Sequence, residues 1–158
     1  MKALYSLLTA CTLMLAACSD NKQVELYNTR AALPASPKYN LDGLKVITSF
    51  VNKTRGTAST LYGNEFALKA AIEGNKIIAA NEVFILVTWK QQDDDHWFGA
   101  KIPSDVESVE VIKTASSGNN VVINYEQLNG KSLDLKTDTV GQTERIKYIL
   151  GQKPSVLP

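Results

Sequence analysis

Cysteine, histidine and methionine are scarce in this chain: 158 residues hold two cysteines, two methionines and one histidine. A lone histidine, His96, cannot complete a structural zinc site, which takes four nitrogen- and sulfur-rich ligands. It has no paired nucleophile signature either, so a Ser-His-Asp arrangement has no footing. Neither sign of charge is in excess, with 17 Lys and Arg against 16 Asp and Glu. Nucleic-acid binders carry a basic footprint, so no nucleic-acid partner is expected. No apolar run reaches the roughly 20 residues that a bilayer-crossing helix needs. Internal repeats and low-complexity stretches are also missing.

What is present starts at the N-terminus. Lys2 supplies a positive end, Ala3 to Met14 is a short apolar run, and Leu15-Ala16-Ala17-Cys18 follows. The run is too short to span a bilayer and reads as a signal peptide over residues 1–17. The small residues before Cys18 resemble a lipobox, in which small side chains enter a narrow peptidase site and the Cys thiol accepts the lipid. One acyl chain binds only marginally at about 0.8 kcal/mol per buried methylene, whereas two or more palmitate-type chains hold stably. The expected location is therefore the cell envelope, lipid-anchored. Ser19 rather than Asp follows the lipid site, which favours the outer membrane, inner leaflet, facing the periplasm. Cys11 and Lys2 leave with the signal, so the charges balance and Cys18 becomes the sole cysteine. No intramolecular disulfide can form, although that compartment permits one.

Residues 18–40 are polar, are interrupted by Pro34 and Pro37, and read as the lipidated Cys18 and a flexible tether. Residues 41–158 form one domain. Leu44 to Val51 is β-branched enough for a first strand, and Asn52 to Ser59 reads as a polar loop. Asn64 caps a helix that ends at Gly74, with Phe66, Ala67, Ala70 and Ala71 as its core stripe and Leu68 and Ile72 broadening it. The unbroken apolar run in Glu82 to Lys90 predicts a central strand covered on both faces. Trp97 to Ile102 predicts a strand broken by Pro103, Val106 to Lys113 another, and Val121 to Leu128 a fifth after a turn at Ser116 to Asn120. Asn129-Gly130 predicts a two-residue hairpin turn, because both residues tolerate positive φ, with Ser132 to Lys136 returning. Thr143 caps a last helix through Leu150, with Ile146, Ile149 and Leu150 inward and Gly151 as its stop. The expected fold class is α+β: an antiparallel meander of five or six strands, one inserted helix and one C-terminal helix.

Three stretches, TLYGNEFALK at 60–69, VFILVTWK at 83–90 and WFGAKIP at 97–103, together with RIKYILGQKP at 145–154, resemble the cytochrome P-460 family, which includes the β-type cytochromes c′. The resemblance covers Leu44 to Gln152. It implies a shared scaffold, a homodimer formed through the sheet, and a haem held by a Cys-x-x-Cys-His run. This chain lacks that run, and its residues 151–158 contain neither Cys nor His. Covalent haem c is therefore excluded, and Lys90, the nearest counterpart of the family's porphyrin-linked lysine, loses its anchor. A shared scaffold does not imply oxidoreductase activity.

Candidate chemistry is sparse. His96, after Asp93-Asp94-Asp95, could ligate a noncovalent haem; otherwise the run is a solvated hairpin loop, since adjacent side chains diverge and no metal site is expected. Trp89, Trp97, Phe84, Phe98 and Tyr125 could line a ligand cavity, against the plainer reading of core and cross-strand packing. Lys53, Arg55 and Lys101 could hold an anion or simply be scattered surface charge. The leading expectation is a membrane-anchored, non-catalytic domain that binds a small molecule or a protein, with no catalytic residues and no cofactor. The alternatives are a redox protein holding haem noncovalently through His96, and an envelope interaction module presenting an apolar patch.

Overall fold

The structure, a computed structural model, describes residues 27–75 and 77–155; the signal segment and Cys18 lie outside the described residues. Six strands, β1 (Lys45–Asn52), β2 (Thr57–Gly63), β3 (Val83–Asp93), β4 (Lys101–Ser117), β5 (Asn120–Asn129) and β6 (Asp134–Leu135), form one sheet in chain order. Every neighbouring pair is antiparallel. Helix α1 (Glu65–Glu73) is inserted between β2 and β3, and α2 (Gln142–Leu150) closes the domain. The α+β meander with an inserted and a C-terminal helix is thus observed. The helix follows the second strand rather than the first, because Thr57–Gly63 pairs with β1 and β3 instead of belonging to a loop.

Apolar residues separate by strand parity onto two faces. Ile47, Leu61, Phe84, Leu86 and Ile112 face α1 and α2, where Ala67, Ala71, Ile149 and Leu150 complete the layer. Ile85, Val87, Val109, Val111 and Leu128 form the other face. β3 is buried on both, as its unbroken apolar run requires. The second face is covered by the segment expected to be a tether. Tyr39 is buried there, with Leu33, Leu41 and Leu44 packed beside it, and Trp89 Nε1 donates to the Ala31 carbonyl at 2.9 Å. In its described part, from Tyr27 onward, that segment is therefore a strap laid on the sheet.

Local chemistry accounts for the helix ends. Asn64 Oδ1 accepts the Ala67 N–H at 3.0 Å. Gly74, at φ 81°, lets the Gly74 and Asn75 N–H groups turn back onto Ala71 and Ala70, which is a left-handed cap. The core stripe is narrower than expected, for Phe66 is 58% exposed and only Ala67, Ala70 and Ala71 are buried. A Cβ on Gly63 would lie 2.6 Å from Ile47 Cδ1 and 2.9 Å from Ala67 Cβ. Helix and sheet approach so closely that only methyl groups fit between them.

Four boundaries differ from expectation. β4 runs unbroken through Pro103, pairing it with Gln91. β5 reaches no further than the Ser108↔Asn129 rung, so Pro103 lies on an open edge where its missing N–H leaves no gap in a ladder. Trp97 and Phe98 belong to the preceding loop, not to the strand. Asn129 pairs with Asp134, so the turn is a four-residue loop over 130–133 with Leu133 at φ 56°. Helix α2 starts two residues early, with Gly141 rather than Thr143 at its N-cap position.

Candidate functional site

The five aromatic residues considered as one cavity are dispersed. Phe84 is fully buried in the helix-facing layer, and Tyr125 packs against the same layer from β5. Trp89 belongs to the opposite face. Trp97 is 72% exposed and Phe98 fully exposed, so neither lines a cavity with the others. His96 is exposed on the same loop, its backbone N–H bonded to Asp94 Oδ1 at 2.8 Å. Lys90 is exposed on β3. Of the basic trio, Arg55 pairs with Glu107 and Lys101 with Asp93.

A buried polar cluster lies where β4 and β5 meet α2. Glu110, 2% exposed, receives Arg145 Nε at 2.9 Å, Arg145 Nη2 at 2.5 Å and the Tyr125 hydroxyl at 2.6 Å. Burial pushes the Tyr125 phenol far above its ordinary pKa, with the hydrogen bond to Glu110 and its charge adding to the effect. The bond to Glu110 likewise raises Arg145. The guanidinium also sits 4.9 Å from the ring centre of Tyr148, which packs edge-on against Phe50. Beside the cluster runs a cleft of about 430 Å³ bordered by Arg55, Glu107, Lys136 and Glu144. Every acceptor of Glu110 is occupied, so the cluster fastens α2 to the sheet.

The other buried glutamate on this face is different. Glu82 is 1% exposed, just before β3. Its Oε1 accepts the Ala79 N–H at 3.0 Å, while Oε2 has no partner among the described residues. Burial pushes its carboxyl above the usual carboxylate range, and the Ala79 bond pulls back against this. The backbone around it is fixed from two sides. Thr114 Oγ1 donates to the Ala79 carbonyl at 2.7 Å and accepts the Glu82 N–H at 2.9 Å. Asn64, already the cap of α1, donates to the Asn81 carbonyl at 2.7 Å, and its N–H bonds the Val83 carbonyl at 3.2 Å. Asn75 reaches from the end of α1 to the Leu150 carbonyl.

Glu82 borders a cleft of about 580 Å³ between α1 and residues 77–82, with Phe66, Ala70, Ile77 and Ala79 as apolar walls and Lys69 and Glu73 beside them. Ile77 is 83% exposed. A concave apolar wall with polar residues at its border, on a frame fixed by Asn64 and Thr114, is the kind of surface small molecules bind. Sequence reasoning missed both glutamates. The available signals were a carboxylate heading a strand apolar on both faces, and Glu110 set between two apolar residues, Val109 and Val111, of β4.

His96 as placed does not offer haem an axial site. An axial imidazole needs an apolar slot around it, and His96 stands on a loop whose neighbours Asp95, Trp97 and Phe98 are all exposed. Among the described residues no group of three or more His, Cys, Asp or Glu converges on a metal position, and no helix is long and apolar enough to cross a membrane. The chain matches no family model and no curated protein, and the cytochrome P-460 resemblance therefore rests on its quoted residues alone.

Proposed function

We propose that this chain is a lipid-anchored domain of the bacterial envelope, facing the periplasm and non-catalytic, that binds a small, partly apolar molecule in the Glu82 cleft. The lipid anchor is supported by the Leu15-Ala16-Ala17-Cys18 sequence, in which Cys18 would carry the lipid. The binding role rests on one observation: Glu82, which borders an apolar cleft, is buried with its Oε2 unpartnered. A buried acceptor without a donor costs about 1–3 kcal/mol, more when charged, and a ligand that turns the carboxyl toward the cleft and donates a hydrogen bond to it recovers that cost. An amine suits the site above other donors, because its charge also meets the carboxylate. Catalysis has no support here, since no nucleophile or second titratable group stands within hydrogen-bond reach of Glu82 Oε2 among the described residues.

Titration of the full-length protein with benzylamine, followed by calorimetry and by amide NMR shifts, tests the reading. Binding is expected to move the resonances of Ala70, Ile77 and Ala79, to be at least ten-fold weaker for benzyl alcohol, and to vanish in Glu82→Gln. Equal affinity for the amine and the alcohol, or binding that persists in Glu82→Gln, would overturn the assignment of Glu82 as the recognising group.

A further inference from the structure

The β3–β4 hairpin outruns its neighbours. β2 stops at the Thr57↔Lys90 rung and β5 at Ser108↔Asn129, while β3 and β4 stay paired through Gln92↔Ile102 and Asp93↔Lys101. A two-stranded ribbon thus projects past the sheet, with residues 94–100 as its tip. The tip has a defined shape: the Asp94 N–H bonds the Ala100 carbonyl at 3.1 Å and the Ala100 N–H bonds the Trp97 carbonyl at 2.9 Å. In that shape the ribbon presents Trp97 and Phe98, adjacent large apolar side chains, to solvent at its furthest point. The core makes no use of either.

The N-terminal end of the strap lies along the same ribbon. Asn28 Nδ2 donates to the Pro103 carbonyl at 2.6 Å, Arg30 Nη1 to Gln92 Oε1 at 2.6 Å, and Arg30 Nη2 to Asp105 Oδ2 at 3.0 Å. Tyr27, another exposed aromatic, therefore enters the domain beside the projecting ribbon. Cys18 is nine residues upstream. A chain spans at most about 3.5 Å per residue, so a lipid on Cys18 keeps this end of the domain within roughly 30 Å of the bilayer, whatever path the intervening residues take.

We propose that the Trp97–Phe98 tip sits in the membrane interface beside the Cys18 lipid, as a second contact between this domain and the bilayer. The proximity part rests on the lipid-anchor reading above. Trp and Tyr favour the headgroup level, where an amphipathic ring meets both apolar and wet surroundings. A single tether leaves the domain free to rotate, and a second contact fixes which face looks away from the lipid. The charge at the tip selects the surface: Lys101 is engaged by Asp93, and Asp94 and Asp95 leave the tip net negative. Zwitterionic headgroups suit it, and anionic lipid should repel it.

Full-length protein carrying Trp89→Phe, so that Trp97 is the only tryptophan, is reconstituted in phosphatidylcholine vesicles whose acyl chains are brominated near the headgroup. The expected result is a blue-shifted Trp97 emission, quenching by at least two-fold, and no gain when phosphatidylglycerol is added. Phe98→Ser should reduce the quenching at least two-fold without changing the thermal midpoint, since Phe98 touches no core. Mass spectrometry of the same sample reports the lipid on Cys18. A lipidated protein whose Trp97 keeps a water-exposed spectrum and escapes quenching refutes the tip contact while leaving the anchor intact. An unlipidated Cys18 overturns the anchor instead, and the same quenching with added protein then decides the tip by itself. Quenching that requires phosphatidylglycerol also refutes the proposal, because the tip's charge predicts the opposite.

Discussion

Replacing Arg145 with Ala isolates the fastening of α2 to the sheet. The substitution removes two N–H donors from Glu110, at 2.9 and 2.5 Å, and leaves only the Tyr125 hydroxyl on a carboxylate that is 2% exposed. Hydrogen bonds to charged groups contribute about 1.5–3 kcal/mol each, and removing one partner of a buried pair costs about 3–5 kcal/mol. The Arg145 side chain is 38% exposed, so water entering its place recovers part of the loss, and about 3 kcal/mol is expected. That corresponds to a Tm lower by roughly 10–15 °C for a domain of this size. The double variant Glu110→Met with Arg145→Met leaves no orphaned charge and should be far less damaging than Arg145→Ala alone. Urea melts at pH 7 measure all of this. A loss below about 1 kcal/mol would show that the pair is a solvated surface contact.

Glu82 predicts a pH effect of its own. Burial raises its folded-state pKa above the unfolded value, so its contribution to stability is fully present below the unfolded pKa and is lost as pH rises through the folded one. Denaturant melts from about pH 4 to pH 7 should therefore show Glu82→Gln gaining on the native protein as pH rises; the reverse slope would contradict the burial argument. Gly63→Ala places a methyl 2.6 Å from Ile47 Cδ1 and 2.9 Å from Ala67 Cβ, and overpacking of this kind costs about 1–3 kcal/mol, readable as a lower thermal midpoint. Phe84→Ala should cost about 3–5 kcal/mol and Phe98→Ala less than about 0.5 kcal/mol. Calorimetry of the two variants would reject this placement of the aromatics if their costs were similar.

What could be read from the sequence follows from where contrast is strong. The apolar run in β3, the Asn64 and Gly74 caps of α1 and the residues of α2 carry signals that neighbours do not override. β2 has little contrast: its buried positions Thr57, Ser59, Leu61 and Gly63 are mostly small or polar. They are small because α1 lies so close, and that proximity is tertiary. Trp97 and Phe98 read as strand because aromatics favour strands, yet Gly99 at φ 80° turns the chain there. Pro103 reads as a break because a ladder N–H is missing, and only the length of β5 decides whether that matters. The strap was invisible for a similar reason. Two prolines and a polar composition suggest a linker, whereas Leu33, Tyr39, Leu41 and Leu44 are spaced too irregularly to show a periodic face.

The two buried glutamates on the helix-facing side form an internal comparison. Both are nearly inaccessible and both flank apolar strand residues. Around Glu110 the fold supplies an arginine and a tyrosine, and both carboxylate oxygens are engaged. Around Glu82 it supplies one backbone N–H and then spends Asn64 and Thr114 on the backbone of residues 79–83. The same sheet can evidently satisfy a buried carboxylate when it holds a helix in place. The free oxygen of Glu82 is therefore a property of its cleft and not of the scaffold, and an unsatisfied buried group in a native fold calls for a specific explanation. The ligand proposed above, donating to Glu82, would meet that need and would also cover the exposed apolar walls of Phe66 and Ile77.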